Sequence, residues 1–181
     1  FLILFLIAFF PLKVFALIEV DITRGNLNPL PLAVSPLSID DKSKKSFEKI
    51  LKKENIGSEI STIVENNLRT SGLFNPLSKE AFLQAPDIAN LKPRFEDWNL
   101  IKAQALITGK VTYVDEKLRV EFRLWDVLAA KEMMALAFTT VPSNWRRVGH
   151  IITDKVYERL TGEKGYFDTR IIYVSEEGPK T

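Results

Sequence analysis

The chain has 181 residues with one histidine and no cysteine, and its 25 lysine and arginine residues nearly balance its 23 aspartate and glutamate residues. This composition excludes disulfide bonds, thiol nucleophiles and metal sites that need several histidines. The near-neutral charge gives no reason to expect a nucleic acid or an anionic membrane surface as a partner.

The N-terminal stretch "FLILFLIAFFPLKVFA" predicts an exported protein. An apolar run interrupted by Pro11 precedes Lys13, and Val14 and Ala16 occupy positions minus three and minus one of a possible cleavage site. This pattern is typical of a signal peptide, because a membrane-spanning helix needs ~20 apolar residues. We expect residues 1–16 to be removed, which leaves a mature chain without stable membrane insertion. An uncleaved anchor is the alternative, since Phe1 is not a methionine and a missing start would lengthen the run. We expect the chain to be incomplete at both ends.

The first part of the mature chain alternates between apolar and polar residues. Ile18, Val20 and Ile22 lie on one face of a predicted half-exposed strand that ends at Gly25. Residues 30–37 predict a short buried strand, in which two prolines limit the backbone hydrogen bonds.

A lysine-rich stretch at residues 40–55 follows. It is predicted to be a solvated loop or a helix with one apolar face, with a basic binding patch as the alternative.

The next helix is the strongest signal in the first half of the chain. Gly72 supplies a left-handed stop at the end of this helix. The apolar residues have helical spacing and are Ile56, Ile60, Ile63, Val64 and Leu68. Residues 73–82 predict an edge strand and a turn, and a loop is expected up to Arg94. A short helix then carries Phe95, Trp98, Leu100 and Ile101, with Trp98 in the core.

Three closely spaced strands and a long helix end the predicted domain. Residues 105–114, 118–128 and 132–141 form a β-meander, because short loops require antiparallel neighbours. The helix begins at Asn144 as N-cap and ends at Gly162. Its apolar stripe is Trp145, Val148, Ile152, Val156 and Leu160. The predicted fold is a mixed α/β (α+β) domain in which helices pack on one side of a mixed sheet.

No convincing catalytic set is found, and neither a cofactor nor a metal site is expected. His150 could act as a general base oriented by Asp154 one helical turn away, although both would lie on a solvated helix face. Pairs of adjacent carboxylates are weak candidates for acid/base catalysis, because the side chains of residues adjacent in sequence point in different directions on a strand or helix. The pairs are Glu96 with Asp97, Asp115 with Glu116, and Glu176 with Glu177. Trp125 is the best candidate for an exposed binding aromatic, unless a helix covers its face.

Several segments resemble the TolB family of periplasmic Tol-Pal proteins of Gram-negative bacteria. The resemblance lies in "IEVDIT", "LRTSGLFNPLS", "ALITGKVT" and the final segment "NWRRVGHIITDKVYERLTGEKGYFDTRIIYVSEEGPKT". It implies that residues 17–164 form the N-terminal α/β domain, which is similar to anticodon-binding domains. Residues 165–181 would then be the linker and first strand of a six-bladed β-propeller, which begins near Arg170 and is otherwise missing.

The resemblance also implies a function. Proteins of this family are adaptors and not enzymes; they bind Pal mainly through the propeller and TolA through the mature N-terminus, and they support outer-membrane integrity and constriction during cell division. The implied TolA-binding segment is Leu17, Ile18, Glu19, Val20, Asp21, Ile22, Thr23, Arg24 and Gly25. A terminal strand can pair with the edge of a partner's sheet. The alternative is that it belongs permanently to the domain's own sheet. Residues 40–55 depart from the family pattern, so no partner contact is carried over to them.

Two other classes of function stay open. A nucleic-acid-binding module of anticodon-binding type would show steep salt dependence of RNA binding. A small periplasmic hydrolase would lose its activity when His150 is replaced.

Overall fold

The computed structural model describes residues 28–169. The predicted signal peptide, the predicted first strand, the predicted strand from Arg170, and the pair Glu176 and Glu177 lie outside the described residues.

A mixed sheet forms the centre of the domain. Its strands are β1 (Leu30–Val34), β2 (Ser38–Ile39), β3 (Phe74–Pro76), β4 (Ala105–Val114), β5 (Lys117–Asp126) and β6 (Lys131–Thr140). The strand order is β3-β1-β4-β5-β6, and β2 also pairs with β4. β1 is parallel to both β3 and β4, whereas β4, β5 and β6 are antiparallel neighbours. The predicted mixed sheet, edge strand and β-meander are confirmed.

Within residues 28–169, five α-helices accompany the sheet: α1 (Asp41–Leu51), α2 (Ile56–Thr70), α3 (Pro86–Leu91), α4 (Phe95–Leu100) and α5 (Trp145–Thr161). Successive residues of a strand face opposite sides, so each face of the sheet has its own core. The major core contains Leu32 and Ile107 of the sheet together with side chains from α1, α2 and α5. The minor core contains Ala33 and Leu106 together with α3 and α4.

Placement of the helices on one side therefore holds for the three long helices, while two short ones cover part of the other face. The predicted loop before Arg94 is wrong at α3, which has only six residues, starts with Pro86 and buries Ala89. So short a helix shows almost no periodicity. Trp98 of α4 is buried, as predicted. In the described part of the chain, no helix has both the length and the apolar character that a membrane crossing requires.

The lysine-rich stretch forms helix α1, which buries Ser43 and Phe47 and exposes its lysines. Its N-terminus is attached to the sheet by a short network. The backbone N–H of Ser43 donates to Asp40 Oδ1 (2.9 Å), and Ser43 Oγ donates to Asp40 Oδ2 (3.0 Å). Ser43 Oγ also accepts from the backbone N–H of Tyr113 in β4 (2.8 Å). Asp40 is thus both the N-cap of α1 and the anchor of a bridge to β4.

Helix α2 lies very close to the loop between β1 and β2. Any Cβ at Gly57 would overlap the carbonyl oxygen of Leu37. One turn later, Ser61 Oγ donates to the carbonyl of Ser35 (3.0 Å) and accepts from the N–H of Leu37 (2.9 Å). α2 ends just before Gly72, whose φ of 73° confirms the predicted left-handed stop.

Helix α5 starts directly after Asn144 and is followed by Gly162 (φ 75°), both as predicted, but the side chain of Asn144 does not cap the helix. Asn144 occupies the N-cap position without a side-chain capping hydrogen bond. Its amide donates instead to Thr140 Oγ1 (3.1 Å), because the chain enters the helix through a 3₁₀ turn at Pro142–Asn144.

The pKa of Asp40 is held below its ordinary value, chiefly by the hydrogen bond from the Ser43 backbone, with burial acting in the opposite direction. Such a carboxyl stabilises the fold above its unfolded pKa, and this contribution is lost as pH falls through the folded pKa. Asp40→Asn retains a capping side chain that does not titrate. We expect wild type to be more stable than Asp40→Asn at pH 7, and the difference to shrink below about pH 4. Urea unfolding at several pH values measures it, and Asp41→Asn controls for charge; a difference that does not vary with pH would contradict the assignment.

Gly57→Ala is expected to lower the free energy of unfolding by about 1–3 kcal/mol, because the new methyl group forces α2 away from the Leu37 carbonyl. Thr62→Ala, at an exposed position of the same helix, is the matched control and should change it by less than about 0.5 kcal/mol. Denaturant titration of both variants decides the point. Equal stabilities would show that the close approach is not required.

Candidate interaction site

The predicted partner-binding segment, Leu17 to Gly25, lies outside the described residues and stays a prediction. The other candidate residues, apart from Glu176 and Glu177, lie within them. The structure gives each of these a definite environment.

His150 joins two helices. Its Nδ1 is 2.9 Å from Asn67 Nδ2 of α2, and the same amide nitrogen donates to Thr153 Oγ1 at 3.2 Å. Because an amide nitrogen donates, Nδ1 of His150 is the acceptor in this contact. The half-buried His150 is therefore used in the contact between α2 and α5.

Asp154 holds the segment that follows α5. Its carboxylate accepts hydrogen bonds from the backbone N–H groups of Phe167 (2.7 Å) and Asp168 (3.1 Å). Gly165 lies against Asp154 so closely that a Cβ there would overlap it. We call residues 163–169 the strap. Asp154 thus holds the strap, and the predicted pairing of His150 with Asp154 as base and orienting acid is not what their hydrogen bonds show.

Two further contacts fix the strap on α5. Arg147 donates to both carboxylate oxygens of Asp168, with Nε–Oδ1 and Nη2–Oδ2 distances of 3.0 Å. The hydrogen bond and the charge of Asp168 raise the pKa of Arg147. Tyr157 packs edge-on against Tyr166 and Phe167, with ring centroids 5.5 and 5.8 Å apart, and burial raises its pKa. The beginning of the predicted linker is therefore packed on the domain.

Trp125 is covered. Its Nε1 donates to Thr108 Oγ1 (2.9 Å), and its ring packs edge-on against Phe95 of α4 at 5.8 Å. The alternative considered for Trp125, a helix over its face, is the one that the structure shows.

The two candidate acidic pairs within residues 28–169 lie at the surface. Asp97 pairs with Arg94 (2.7 Å), and Asp115 and Glu116 form the turn between β4 and β5. No group of three histidine, aspartate or glutamate side chains within residues 28–169 could hold a metal ion.

A surface that the sequence analysis did not single out lies beyond the cover of α3 and α4. It consists of Arg119, Glu121 and Arg123 of β5 with Ala135 and Ala137 of β6, and we call it the open sheet patch. These residues line a shallow cavity of about 200 Å³. The signal was present in the sequence, since the alternation of β5 puts its charged residues on the face opposite Leu118, Val120 and Phe122.

Asp154→Ala should release the strap. We expect much faster hydrogen exchange at the amides of Phe167 and Asp168, and a loss of about 1–3 kcal/mol of stability, because two hydrogen bonds to a carboxylate disappear. Lys155→Ala, at the exposed neighbouring position, is the control. Unchanged exchange at both amides would mean that Asp154 does not hold the strap; exchange measured by NMR gives the answer.

Comparison with known proteins places the chain in a family. The family model described as the TolB amino-terminal domain matches residues 18–133. The curated protein "Tol-Pal system protein TolB" of Pelagibacter ubique (strain HTCC1062) is 88% identical over 171 residues, which are 94% of this chain and 38% of that protein. The chain thus spans well under half the length of this relative.

A solved structure shows the same fold. The crystal structure of TolB from Acinetobacter baumannii matches with a TM-score of 0.60 and 21% identity, over 82% of this chain and 32% of that one. The family model covers more than half of the chain and the sequence identity to the curated relative is high. The chain therefore belongs to the TolB amino-terminal domain family.

Proposed function

We propose that this chain is the N-terminal part of a periplasmic adaptor of the Tol-Pal system, which binds other proteins and catalyses no reaction. The observation that carries the proposal is the 88% identity to a relative named as a Tol-Pal system protein. Because the chain spans 38% of that relative, the activity and partners of the whole protein are part of the proposal.

The proposed partners are TolA, bound through residues 17–25, and Pal, bound mainly by the part of the protein that follows this chain. The linked system would maintain the outer membrane and its constriction during cell division. Export after cleavage at Ala16 would put the segment at the very start of the mature protein. Its alternation of Ile18, Val20 and Ile22 with polar residues is that of a strand that can pair with a partner's sheet edge.

The environments of the candidate catalytic groups support a non-catalytic role. His150 contacts Asn67, and Asp154 accepts two backbone hydrogen bonds. Both are thereby used in holding α5 to its neighbours. A general base needs a free acceptor within reach of a substrate. The near-neutral charge also weighs against a nucleic-acid partner.

Deletion of residues 17–22 should abolish binding of purified TolA in a calorimetric titration, because the apolar face of the segment is lost. We expect the truncated domain to retain its circular dichroism spectrum and melting transition, because the sheet and the helices that form the two described cores remain.

A matched variant in the full segment refines the test. Val20→Lys puts a charge on the apolar face and should weaken TolA binding strongly, whereas Thr23→Ser, on the polar face, should bind almost as tightly as wild type. Unchanged affinity in the deletion would exclude the segment as the site.

A further inference from the structure

We propose that the outer edge of β6 is a second docking surface, which adds an extended segment of a partner protein whose side chains alternate between apolar and acidic. The proposal goes beyond the function proposed above, since it uses neither residues 17–25 nor the identity of TolA. It rests on residues that the structure describes.

The first observation is an unprotected strand edge. Among residues 28–169, β6 pairs with β5 on one side and with no strand on the other. The start of the strand is protected, since Lys131 and Glu132 are charged and Met133 lies at a bulge where its carbonyl accepts a hydrogen bond from Arg159 (3.4 Å). From Met134 to Thr140 the edge contains neither a charged residue nor a proline. Natural sheet edges are usually shortened, charged or interrupted, because free backbone groups recruit other strands. The stretch from Met134 to Thr140 has none of these features and is suited to strand addition.

The second observation is the incomplete burial of the side that faces the major core. Met134, Leu136 and Phe138 lie opposite Leu124, Phe122 and Val120 of β5, which are almost fully buried. At the edge this apolar layer stays partly open, and Leu136 is 37% exposed. A strand added beside β6 would bury it by placing its own apolar side chains on this side.

The third observation is the chemistry of the open sheet patch on the other side. Ala135 and Ala137 lie opposite Arg123 and Glu121, and their small side chains leave the cavity of about 200 Å³. The two alanines therefore leave room for a side chain of the added segment and do not clash with it.

Both arginines have hydrogen-bond donors to spare. Arg119 uses Nε for Glu121 (2.8 Å), while within the described residues its two terminal nitrogens donate to no side chain. In the described part of the chain, the contacts of Arg123 are long, at 3.3 Å to Glu132 and at 3.4 and 3.5 Å to Asn90. Guanidinium groups with unused donors fit a carboxylate, which can accept two hydrogen bonds from one of them. The alternate side chains of the added segment should therefore be acidic.

A second copy of the chain fits this edge less well than such a segment. Paired antiparallel with itself, β6 would bring small uncharged residues, Ala135 and Ala137, to the side of the arginines. No carboxylate would then reach Arg119 from the centre of the added strand. We therefore propose that the segment bound at the β6 edge, with its alternating acidic and apolar side chains, belongs to another protein.

The test uses the chain with residues 1–16 removed and an eight-residue peptide of alternating valine and glutamate, blocked at both ends. In ¹⁵N-labelled protein we expect the amide signals of Met134 to Thr140, and the side chains of Arg119 and Arg123, to shift in a saturable manner. The double variant Arg119→Ala and Arg123→Ala should weaken binding at least tenfold. Arg69→Ala, an exposed arginine on α2 that pairs with Glu65, is the matched control and should bind as wild type does.

Two further experiments separate the contribution of backbone pairing to binding from the contribution of charge. Leu136→Lys puts a charge on the edge and should prevent binding, and a peptide of alternating valine and lysine should not bind. Absence of shifts in β6, shifts confined to β3, or equal binding by the double variant would overturn the proposal. So would a dimer of the free protein in sedimentation, with the same signals broadened. Loss of TolA binding on deletion of residues 17–22 is independent of all these outcomes.

Discussion

The close approach of α2 to the sheet and to α5 is the constraint on which the rest of the described fold depends. Gly57 and Ser61 fasten α2 to the loop between β1 and β2 by contact and by hydrogen bonds. On its other side, Gly149 of α5 allows Ile63 to come so close that an added Cβ would be 2.8 Å from Ile63 Cγ2. α5 in turn carries the groups that hold the strap. One tightly packed helix therefore determines where the sheet is covered and along which path the chain leaves the domain.

Much of the fold could be predicted because its long elements have strong periodicity. The alternation of β5 and the helical spacing in α2 and α5 persist over ten or more residues, so they outweigh local exceptions. α3 was missed because six residues contain too few turns to show a pattern. The role of Asp154 was missed for another reason. Its partners, Phe167 and Asp168, are brought to it only when the chain reverses after Gly162, which no spacing within the helix reveals. The same holds for Asn67, which meets His150 across 83 residues.

The two edges of the described sheet differ in a way that bears on binding. β3 has three residues and ends with Pro76, which lacks a backbone donor, so this edge is short and poorly suited to pairing. β6 has ten residues, most of them uncharged. A free edge of this kind carries a risk of aggregation that selection normally removes. The partner proposed above would cover this edge and bind the neighbouring Arg119 and Arg123. Recognition through backbone groups also suits a protein with a near-neutral charge, since it does not depend on long-range attraction.

The places where the described chain begins and ends lie along one packed row of aromatic side chains. Leu30, close to the first described residue, pairs in register with Phe74. Phe74 packs against Tyr157 of α5, with ring centroids 6.1 Å apart, and Tyr157 packs against Phe167 of the strap at 5.8 Å. Under the function proposed above, one partner would bind before β1 and the other after the strap, on either side of this row of side chains. Contiguous packing is the physical means by which binding at one point can alter the free energy of the other, provided that an element between them has two arrangements. In this domain the strap is held by the carboxylate of Asp154, by the ion pair of Arg147 with Asp168 and by the packing of Phe167 against Tyr157 and the major core.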